Sequence, residues 1–332
     1  MIIVRAPFRL PLGGGGTDLP PYYTKYGGSL ITATINKYMF VNINEPALVN
    51  SIKIGYTKIE TVELNKIENI QHDIVRETLK YLNINKPIEI HSMADMPAGT
   101  GMGSSSAYTV ALLKGLNTMN RRFISLYEMA EEACKIEIEL CKKPIGKQDQ
   151  YASTFGGINQ LDIDNFGNVI VTPINIKQET IYELENRLMM FYTNINRDTN
   201  KIITDQNKII EANENNIIES MHNIKEIGYK IKNALLSDNI DSFGYLLHSH
   251  WTEKRKISEQ MSNPNIDKWY NLGIRNGALG GKIMGAGGGG FLLFCIDDIK
   301  NRKHLREAME KEGLQYMDFR FDFDGVKVLA NI

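Results

Sequence analysis

The sequence is poor in the features on which several classes of protein depend. Its 332 residues include 3 cysteines, too few for a disulfide framework and without the paired CxxC spacing of a zinc site. The 38 Lys+Arg against 39 Asp+Glu give a formal net charge of -1. Proteins that grip nucleic acid or an anionic membrane carry a clear basic excess, so we expect neither partner. A reduced, cytoplasmic setting is therefore the default expectation.

Long hydrophobic segments are also missing. No stretch approaches the roughly 18 uncharged apolar residues that a membrane helix requires. Arg5 and Pro7 interrupt the N-terminus before it could form the core of a signal peptide. The hydrophobic fraction of 42% is ample for packed cores, and the length predicts roughly two domains. We therefore expect a soluble two-domain protein.

Glycine is abundant only in places. Of the 28 glycines, 15 fall within three short segments, residues 13–16, 99–103 and 277–290. Each segment adjoins a strand-like or helix-like pattern, whereas flexible linkers pair glycine with serine or charged residues. Glycine allows positive φ and a close approach of backbone to ligand. The three clusters therefore predict backbone N–H groups that face an anion.

Two common nucleotide-binding motifs do not explain these clusters. The Walker pattern GxxxxGK[ST] does not occur, which argues against an ordinary P-loop NTPase. Residues 285–290 match GxGxxG, but a Rossmann site needs that motif between a strand and a helix. Here the motif runs into residues 291–296, an apolar run with the length of a buried strand. A Rossmann dehydrogenase is thus a distant alternative.

The middle cluster has the composition of a phosphate-binding loop. Residues 97–107 read Pro-Ala-Gly-Thr-Gly-Met-Gly-Ser-Ser-Ser-Ala and lead into a segment that can continue as a buried helix. Free N–H groups, the helix dipole and hydroxyl ligands together suit a polyphosphate and its Mg²⁺. A simple serine N-cap is the alternative. It accounts well for one serine and poorly for three.

Taken together, the three clusters resemble the motifs of the GHMP kinases, a family of small-molecule kinases that includes galactokinase, homoserine kinase and mevalonate kinase. Residues 5–9 with 13–18 resemble the first motif, residues 97–107 the second and residues 282–290 the third. The resemblance implies ATP and Mg²⁺ as cofactors. The nucleotide-binding residues that it implies are Pro97, Gly99, Gly101, Met102, Gly103, Ser104, Ser105 and Ser106.

A glutamate in the following helix is a candidate metal ligand. Ser125 and Glu128 form a capping box that predicts a helix over residues 125–142. On a regular helix Glu137 points into the apolar stripe, whereas Glu132 and Glu139 point away from it. A buried carboxylate needs either a Lys or Arg partner or a metal ion. The family pattern agrees with Mg²⁺, which the resemblance assigns to Glu137 and Ser105.

The catalytic group follows that helix. By itself, Asp149 in the loop Gly-Lys-Gln-Asp-Gln would be a turn or cap residue. It matches the family's catalytic aspartate, and the chemistry needs a carboxylate close to the acceptor hydroxyl. The resemblance also places Arg9 beside Asp149. A guanidinium there would keep the carboxylate ionised and offset charge on the transferred phosphoryl group.

The acceptor is indicated by the first glycine cluster. Gly15 and Gly16 stand where galactokinases carry a glutamate and a histidine, which makes galactose doubtful and leaves room for a larger sugar. The GGGGTD form resembles the sugar 1-kinase branch of the family. That branch implies phosphorylation of the anomeric hydroxyl of D-glycero-D-manno-heptose 7-phosphate, for the nucleotide-activated heptose of surface polysaccharide. The substrate-binding residues that it implies are Gly15, Gly16, Thr17, Asp18, Arg197, Gly287 and Gly288.

Other assignments stay open. A phosphorylated sugar requires a second anion site, for which Arg197, Lys254 and Arg255 are candidates. Alternatives to a heptose kinase are a kinase for another sugar, such as fucose, and a non-catalytic sensor that binds sugar and ATP on the same scaffold. A homodimer is a further prediction.

The order of elements predicts an α+β fold. Strand-like segments at 2–8, 30–45, 51–64 and 87–94 precede helices at 104–120 and 125–142. Helical periodicity then runs from 198 to 260 with breaks at 238–241, before a helix at 298–312 and a closing strand at 317–330. The resemblance implies an S5-like N-terminal domain over 1–178, a ferredoxin-like C-terminal domain over 179–332, and the active site in the cleft.

Overall fold

The computed structural model describes residues 1–195 and 199–332, so the predicted anion ligand Arg197 lies outside the described residues. The strands are β1 (Ile2–Gly13), β2 (Gly28–Asn44), β3 (Ser51–Gly55), β4 (Ile59–Glu63), β5 (Ile88–Ala94), β6 (Ile158–Ile163), β7 (Val169–Pro173), β8 (Leu188–Tyr192), β9 (Ala278–Ile283), β10 (Phe291–Ile296), β11 (Gln315–Met317) and β12 (Lys327–Asn331).

The helices alternate with these strands. They are α1 (Pro20–Tyr26), α2 (Asp73–Tyr81), α3 (Ser104–Met119), α4 (Leu126–Cys134), α5 (Gln148–Phe155), α6 (Gln178–Arg187), α7 (Thr199–Glu211), α8 (Asn215–Leu236), α9 (Ile240–Ile257), α10 (Pro264–Arg275) and α11 (Asn301–Lys311). Short 3₁₀ turns cover Leu64–Asn69 and Glu259–Met261. In the part of the chain that the structure describes, no helix is long and apolar enough to cross a membrane.

The N-terminal half forms an eight-stranded sheet built around one long hairpin. Strands β1 and β2 pair antiparallel, and the sheet order is β12-β1-β2-β5-β3-β4, with β6 paired to the first part of β2 and β7 paired to β6. Ile2, Val4 and Ala6 are buried and alternate with more accessible residues at the start of β1, as in a strand with one face on the core, and the rest of β1 is buried on both faces. Helix α3 packs against β1 and β2 and carries the serines of the middle glycine cluster.

The C-terminal half forms a four-stranded antiparallel sheet, in the order β11-β8-β10-β9. All six residues of β10 are buried, as their continuous apolar run predicts. Helix α9 packs against β9, and α10 and α11 complete this half. The α+β prediction is confirmed, with helices and two mostly antiparallel sheets forming two packed halves.

The predicted helix over residues 125–142 is correct only in its first part. The Ser125–Glu128 capping box is present and begins α4, but residues Lys135–Leu140 form a π-helical turn. A π-helical turn holds more residues than an α-helical one, so the side chains that follow rotate relative to a regular helix. Glu137 is fully buried as predicted, while Leu140 is exposed. The prediction for Glu132 is wrong, because Glu132 is buried in an ion pair with Arg122.

Other boundaries also differ. The strand predicted over 51–64 is the hairpin β3–β4, and the closing strand predicted over 317–330 is two short strands, β11 and β12. Strand β12 pairs with β1 at the edge of the larger sheet. The last strand of the chain thus returns to the N-terminal sheet, and the division at residues 178 and 179 stays a prediction.

Candidate active site

The three glycine clusters meet in one cleft of about 420 Å³. The first cluster contributes Gly15 and Gly16, the second contributes the loop before α3, and the third contributes Gly285. A Cβ atom on Gly285 would lie 2.8 Å from the carbonyl oxygen of Gly101, so the second and third clusters pack backbone against backbone. Close approach of this kind requires glycine. The fold thus brings together segments that are far apart in the sequence.

The middle cluster is a left-handed loop that opens α3. Gly99, Gly101 and Gly103 have φ values of 77°, 80° and 75°, a region that side chains with a Cβ atom disfavour. The three serines that follow line the cleft at the N-terminus of the 16-residue helix α3, where free N–H groups and the dipole favour an anion. The loop therefore has the geometry of a phosphate site.

Two predicted nucleotide ligands are placed differently from the rest of this loop. The Met102 side chain is fully buried in the N-terminal core, and its carbonyl oxygen accepts a hydrogen bond from the Arg9 backbone N at 3.2 Å. Pro97 lines a neighbouring pocket rather than the cleft. Met102 therefore anchors the loop on β1, while Gly99, Gly101, Gly103 and the serines face the cleft.

Substitution of Gly103 tests how closely the loop and the candidate catalytic carboxylate are fitted. A Cβ atom at this position would lie 3.0 Å from Asp149 Oδ2. Gly103→Ala should lower turnover roughly 10- to 100-fold by displacing the carboxylate, and should cost about 1 kcal/mol of stability through its positive φ. Gly313→Ala is the matched control, because Gly313 has φ 85° with nothing within 4 Å of the added Cβ. Thermal unfolding and turnover of both variants check this, and equal turnover would contradict it.

Arg9 and Asp149 form an ion pair at the centre of the cleft. Arg9 Nε donates to Asp149 Oδ1 at 2.6 Å, Nη2 donates to Oδ2 at 3.2 Å, and Nη1 donates to the Gly101 carbonyl. Arg9 is buried on β1, and Asp149 lies in the first turn of α5, where a carboxylate is favoured. The pairing predicted for these residues is present, and it ties the carboxylate to the phosphate loop through one guanidinium.

Glu137 lies at the other side of the phosphate loop in a polar cluster. Its Oε1 accepts hydrogen bonds from Ser105 Oγ and from Lys143 Nζ, the latter at 3.3 Å, and its Oε2 accepts one from Gln150 Nε2 at 2.7 Å. Lys143 Nζ also lies 2.6 Å from Ser105 Oγ. Sequence reasoning missed Lys143, because it directly follows the helix predicted over residues 125–142 and belongs to no motif. Glu137 therefore has a lysine partner, as the first alternative requires, and also contacts Ser105, the second oxygen that the metal alternative requires.

The donor set of this cluster fits Mg²⁺. A serine hydroxyl and a carboxylate are the oxygen ligands that Mg²⁺ uses when ATP phosphates and water complete its coordination. The Lys143 ammonium lies within hydrogen-bonding distance of both Ser105 Oγ and Glu137 Oε1, so the position already favours a cation. Over residues 1–195 and 199–332 no group of three or more His, Cys, Asp or Glu side chains could hold a metal ion. A metal here would depend on these two oxygens together with the nucleotide.

Asp18 is held rigidly at the floor of the cleft. Its Oδ1 accepts a hydrogen bond from the Gly16 N at 3.1 Å, and its Oδ2 accepts one from the Gln148 N at 3.2 Å. Burial raises the pKa of Asp18, and the nearby Asp149 charge raises it further. Thr17 does not line the cleft, because its hydroxyl is buried and donates to the Gly14 carbonyl at 2.8 Å. The open floor beside Asp18 consists of Gly15 and Gly16.

Two predicted substrate ligands of the third cluster lie behind the cleft wall. Gly287 packs against Met261, and the Gly288 N donates to the Met261 carbonyl at 3.0 Å. Neither lines the cleft, whose wall is formed here by Gly285, Ala286 and two lysines, Lys254 and Lys282. Arg255, the other candidate for a second anion site, pairs instead with Asp267 at the surface. Lys282 is the first residue of the third motif, but the sequence analysis gave it no role, because a strand position in a motif does not show that its side chain lines a cleft.

Comparisons with known proteins identify the family of this chain. The model of the GHMP kinases N terminal domain matches residues 67–157, and the model of the GHMP kinases C terminal domain matches residues 231–314. The D-glycero-alpha-D-manno-heptose 7-phosphate kinase of Campylobacter jejuni is 35% identical over 98% of each chain. The chain belongs to the GHMP kinase family.

Solved structures extend the comparison. The crystal structure of a D-glycero-D-manno-heptose 1-phosphate kinase from Bacteroides thetaiotaomicron covers 100% of each chain with a TM-score of 0.81 and 26% identity. A putative sugar kinase from Campylobacter jejuni covers 98% of this chain and 97% of its own, with a TM-score of 0.77 and 32% identity. This GHMP kinase is thus an ATP-dependent phosphotransferase of the sugar kinase type.

A second pocket of this GHMP kinase adjoins the phosphate loop. It has a volume of about 480 Å³ and shares Ala98, Ser104, Ser105 and Lys143 with the cleft. Three aromatic rings line it, with the ring centroids of His72 4.8 Å from Tyr56 and 4.9 Å from Tyr108. Burial lowers the pKa of His72, so its ring is neutral near pH 7. These residues come from separate elements and form no motif, which is why sequence reasoning missed them.

Proposed function

We propose that this kinase transfers the γ-phosphoryl group of ATP to the anomeric hydroxyl of D-glycero-D-manno-heptose 7-phosphate, giving the 1,7-bisphosphate. The observation that carries the proposal is the Arg9–Asp149 pair, which lies between the phosphate loop and a floor of glycines. Such a floor admits a sugar larger than a hexose, because no side chain projects from Gly15 or Gly16. The 35% identity to a heptose 7-phosphate kinase supports the same substrate.

The proposed phosphoryl transfer depends on the carboxylates of Asp149 and Glu137 and on the loop before α3. Asp149 accepts the proton of the anomeric hydroxyl while the hydroxyl oxygen forms a bond to the γ-phosphorus. The bond between the γ-phosphorus and the oxygen that bridges it to the β-phosphate breaks, and ADP leaves with that oxygen. Arg9 holds Asp149 in position and offsets negative charge on the transferred group. Backbone N–H groups before α3 hold the phosphates of ATP. Mg²⁺, when it is bound with ATP, neutralises phosphate charge, and Ser105 with Glu137 would hold it.

The aromatic pocket is the proposed position of the nucleotide base. It lies directly beyond Ser104 and Ser105, so a nucleotide whose phosphates occupy the loop would extend into it. Tyr56, His72 and Tyr108 offer flat apolar surface, and stacking on such rings tolerates any base. The sugar would be recognised on the other side of the phosphate loop. There Asp18 accepts hydrogen bonds from sugar hydroxyls with a carboxylate that two backbone amides have already oriented.

A panel of acceptors tests the proposal. We expect turnover, measured as ADP release, with heptose 7-phosphate at a kcat/KM at least about 100-fold above that of fucose or galactose, because one site built for a charged group discriminates strongly against acceptors that lack it. Heptose 1-phosphate belongs in the panel, since the names of the two heptose kinase relatives place the phosphate differently.

Each alternative has its own outcome in that panel. A preference for fucose would replace heptose 7-phosphate by another sugar within the same chemistry. Binding of ATP and sugar without any ADP release would favour the sensor. The Asp298→Asn variant serves as the control for a substitution outside the site, because Asp298 is exposed and does not line the cleft.

A further inference from the structure

The wall of the cleft contributed by the C-terminal half carries two lysines that the proposed mechanism does not use. Lys254 lies in the last turn of α9, and Lys282 lies on β9. Both line the cleft that contains Arg9 and Asp149. Lys254 Nζ donates to the Gly285 carbonyl at 2.9 Å, and Lys282 Nζ donates to the Leu12 carbonyl at 3.2 Å. Two ammonium groups therefore face one side of the acceptor region.

Lys282 is an expensive group to bury. It is 2% exposed, and among the described residues it forms no ion pair. Burial lowers its pKa well below the usual range, and the charges of Lys254 on α9 and Arg9 on β1 lower it further. The two carboxylates that line the cleft have other partners. Asp149 pairs with Arg9, and Asp18 accepts hydrogen bonds from two backbone amides. A buried cation is costly unless an anion pairs with it, which points to a bound one.

His250 adds a second observation at the same place. It lies one helical turn before Lys254 and therefore on the same face of α9. His250 is 1% exposed, and neither ring nitrogen has a hydrogen-bond partner among the described residues. Burial lowers its pKa well below the usual range, and the charges of Lys282 and Lys254 lower it further. Buried polar groups without a partner usually mark a water or a ligand site.

The phosphates of ATP do not account for these cations. ATP has its own donors in the loop before α3, and the Lys143 cluster offers one more cation there. Lys254 and Lys282 come instead from the opposite half of the protein, next to Gly285 and Leu12. An acceptor that carries its own phosphate brings a second dianion into the same cleft.

We propose that Lys254 and Lys282 bind the phosphate group that the sugar acceptor already carries, and that this site selects phosphorylated sugars over their unphosphorylated forms. The inference rests on the proposed function, and it names the residues that set its specificity. Of the sequence candidates for a second anion site, Lys254 keeps that role in the proposal, whereas Arg255 pairs with Asp267 at the surface.

Binding without ATP tests the site separately from phosphoryl transfer. Calorimetry measures the dissociation constants of heptose 7-phosphate and of unphosphorylated heptose for the wild type, Lys254→Met and Lys282→Met. We expect each substitution to weaken binding of the phosphorylated sugar about 10- to 100-fold, and to reduce the ratio of the two dissociation constants by a similar factor. Lys256→Met is the matched control, because Lys256 lies on the same helix, is exposed and pairs with Glu253.

The outcomes separate the site from the reaction. An equal loss for both sugars, or a similar rise in the dissociation constant of ATP, would overturn the proposal, because the lysines would then serve the transferred phosphoryl group. A wild type that binds both sugars equally would overturn it as well. If heptose 7-phosphate is not an acceptor, mannose and mannose 6-phosphate provide the same comparison. The anion site is then tested independently of the heptose. If Lys282→Met does not fold, the ratio measured for Lys254→Met decides.

Discussion

Asp149→Asn is expected to lower kcat by about 10²- to 10⁴-fold with ATP still bound, because an amide of the same size cannot accept the proton of the acceptor hydroxyl. The phosphate loop should keep its affinity for the nucleotide, since its donors are backbone N–H groups and the three serines. Single-turnover kinetics with saturating sugar, together with direct titration of ATP, separates the two effects.

The partnership of Arg9 and Asp149 gives the same experiment a second readout. The two side chains share two hydrogen bonds, at 2.6 Å and 3.2 Å, so their substitutions should not be additive. We expect Arg9→Met with Asp149→Asn to be about as slow as the slower single variant. Additive losses would mean that Arg9 acts on the phosphoryl group independently of Asp149. Asp149→Asn with undiminished turnover would remove the catalytic assignment altogether.

Glu137→Gln and Lys143→Met are expected to shift the requirement for Mg²⁺ in opposite directions. Removal of the carboxylate should raise the Mg²⁺ concentration for half-maximal ATP binding by about 10- to 100-fold, as loss of a metal ligand does. Removal of the ammonium should lower that concentration, because the Lys143 ammonium bonds to the same two oxygens that Mg²⁺ would use. Titration of Mg²⁺ at fixed ATP measures both shifts.

Stability provides an independent check on the same cluster. Without Mg²⁺, Lys143→Met leaves the fully buried Glu137 without its cation, a change that costs about 3 kcal/mol in other buried pairs. Mg²⁺ with ATP should restore most of that loss, because the metal would then supply the missing charge. Glu139→Gln is the control, since Glu139 is exposed two residues away. If Mg²⁺ with ATP did not stabilise Lys143→Met more than the wild type, Glu137 would be only the partner of Lys143.

The motifs predicted which residues would meet, although not how. The resemblance linked Arg9 with Asp149 across 140 residues and Ser105 with Glu137 across 32, and both pairs are in contact. It could do so because family motifs carry information about tertiary contacts that periodicity lacks. The same resemblance also assigned Met102, Gly287 and Gly288 to ligands, and the structure places none of the three in the cleft lining. A motif records a stretch of backbone, and the side chains within it need not all point the same way.

Local rules failed at Glu132, which lies in the regular helix α4 before the π-helical turn. The helical projection of residues 125–142 assumed 3.6 residues per turn, and it pointed Glu132 away from the apolar stripe. The π-helical turn at Lys135–Leu140 and the ion pair of Glu132 with Arg122 both depend on neighbours that the projection does not include. Glu137 was placed correctly because it lies only a few residues into the turn, before the difference in rotation becomes large.

By itself, the sequence determined the features that depend on neighbours along the chain. Glycines at 99, 101 and 103 predict a left-handed loop because φ is a local property, and the Ser125–Glu128 box predicts a helix start because its hydrogen bonds span three residues. Tertiary structure alone decided that the Lys143 ammonium bonds to both Ser105 and Glu137, that three aromatic rings adjoin the loop, and that the buried Lys282 lines the cleft. These are contacts between distant elements, and their energies come from burial and charge, which exist only once the two halves have packed together.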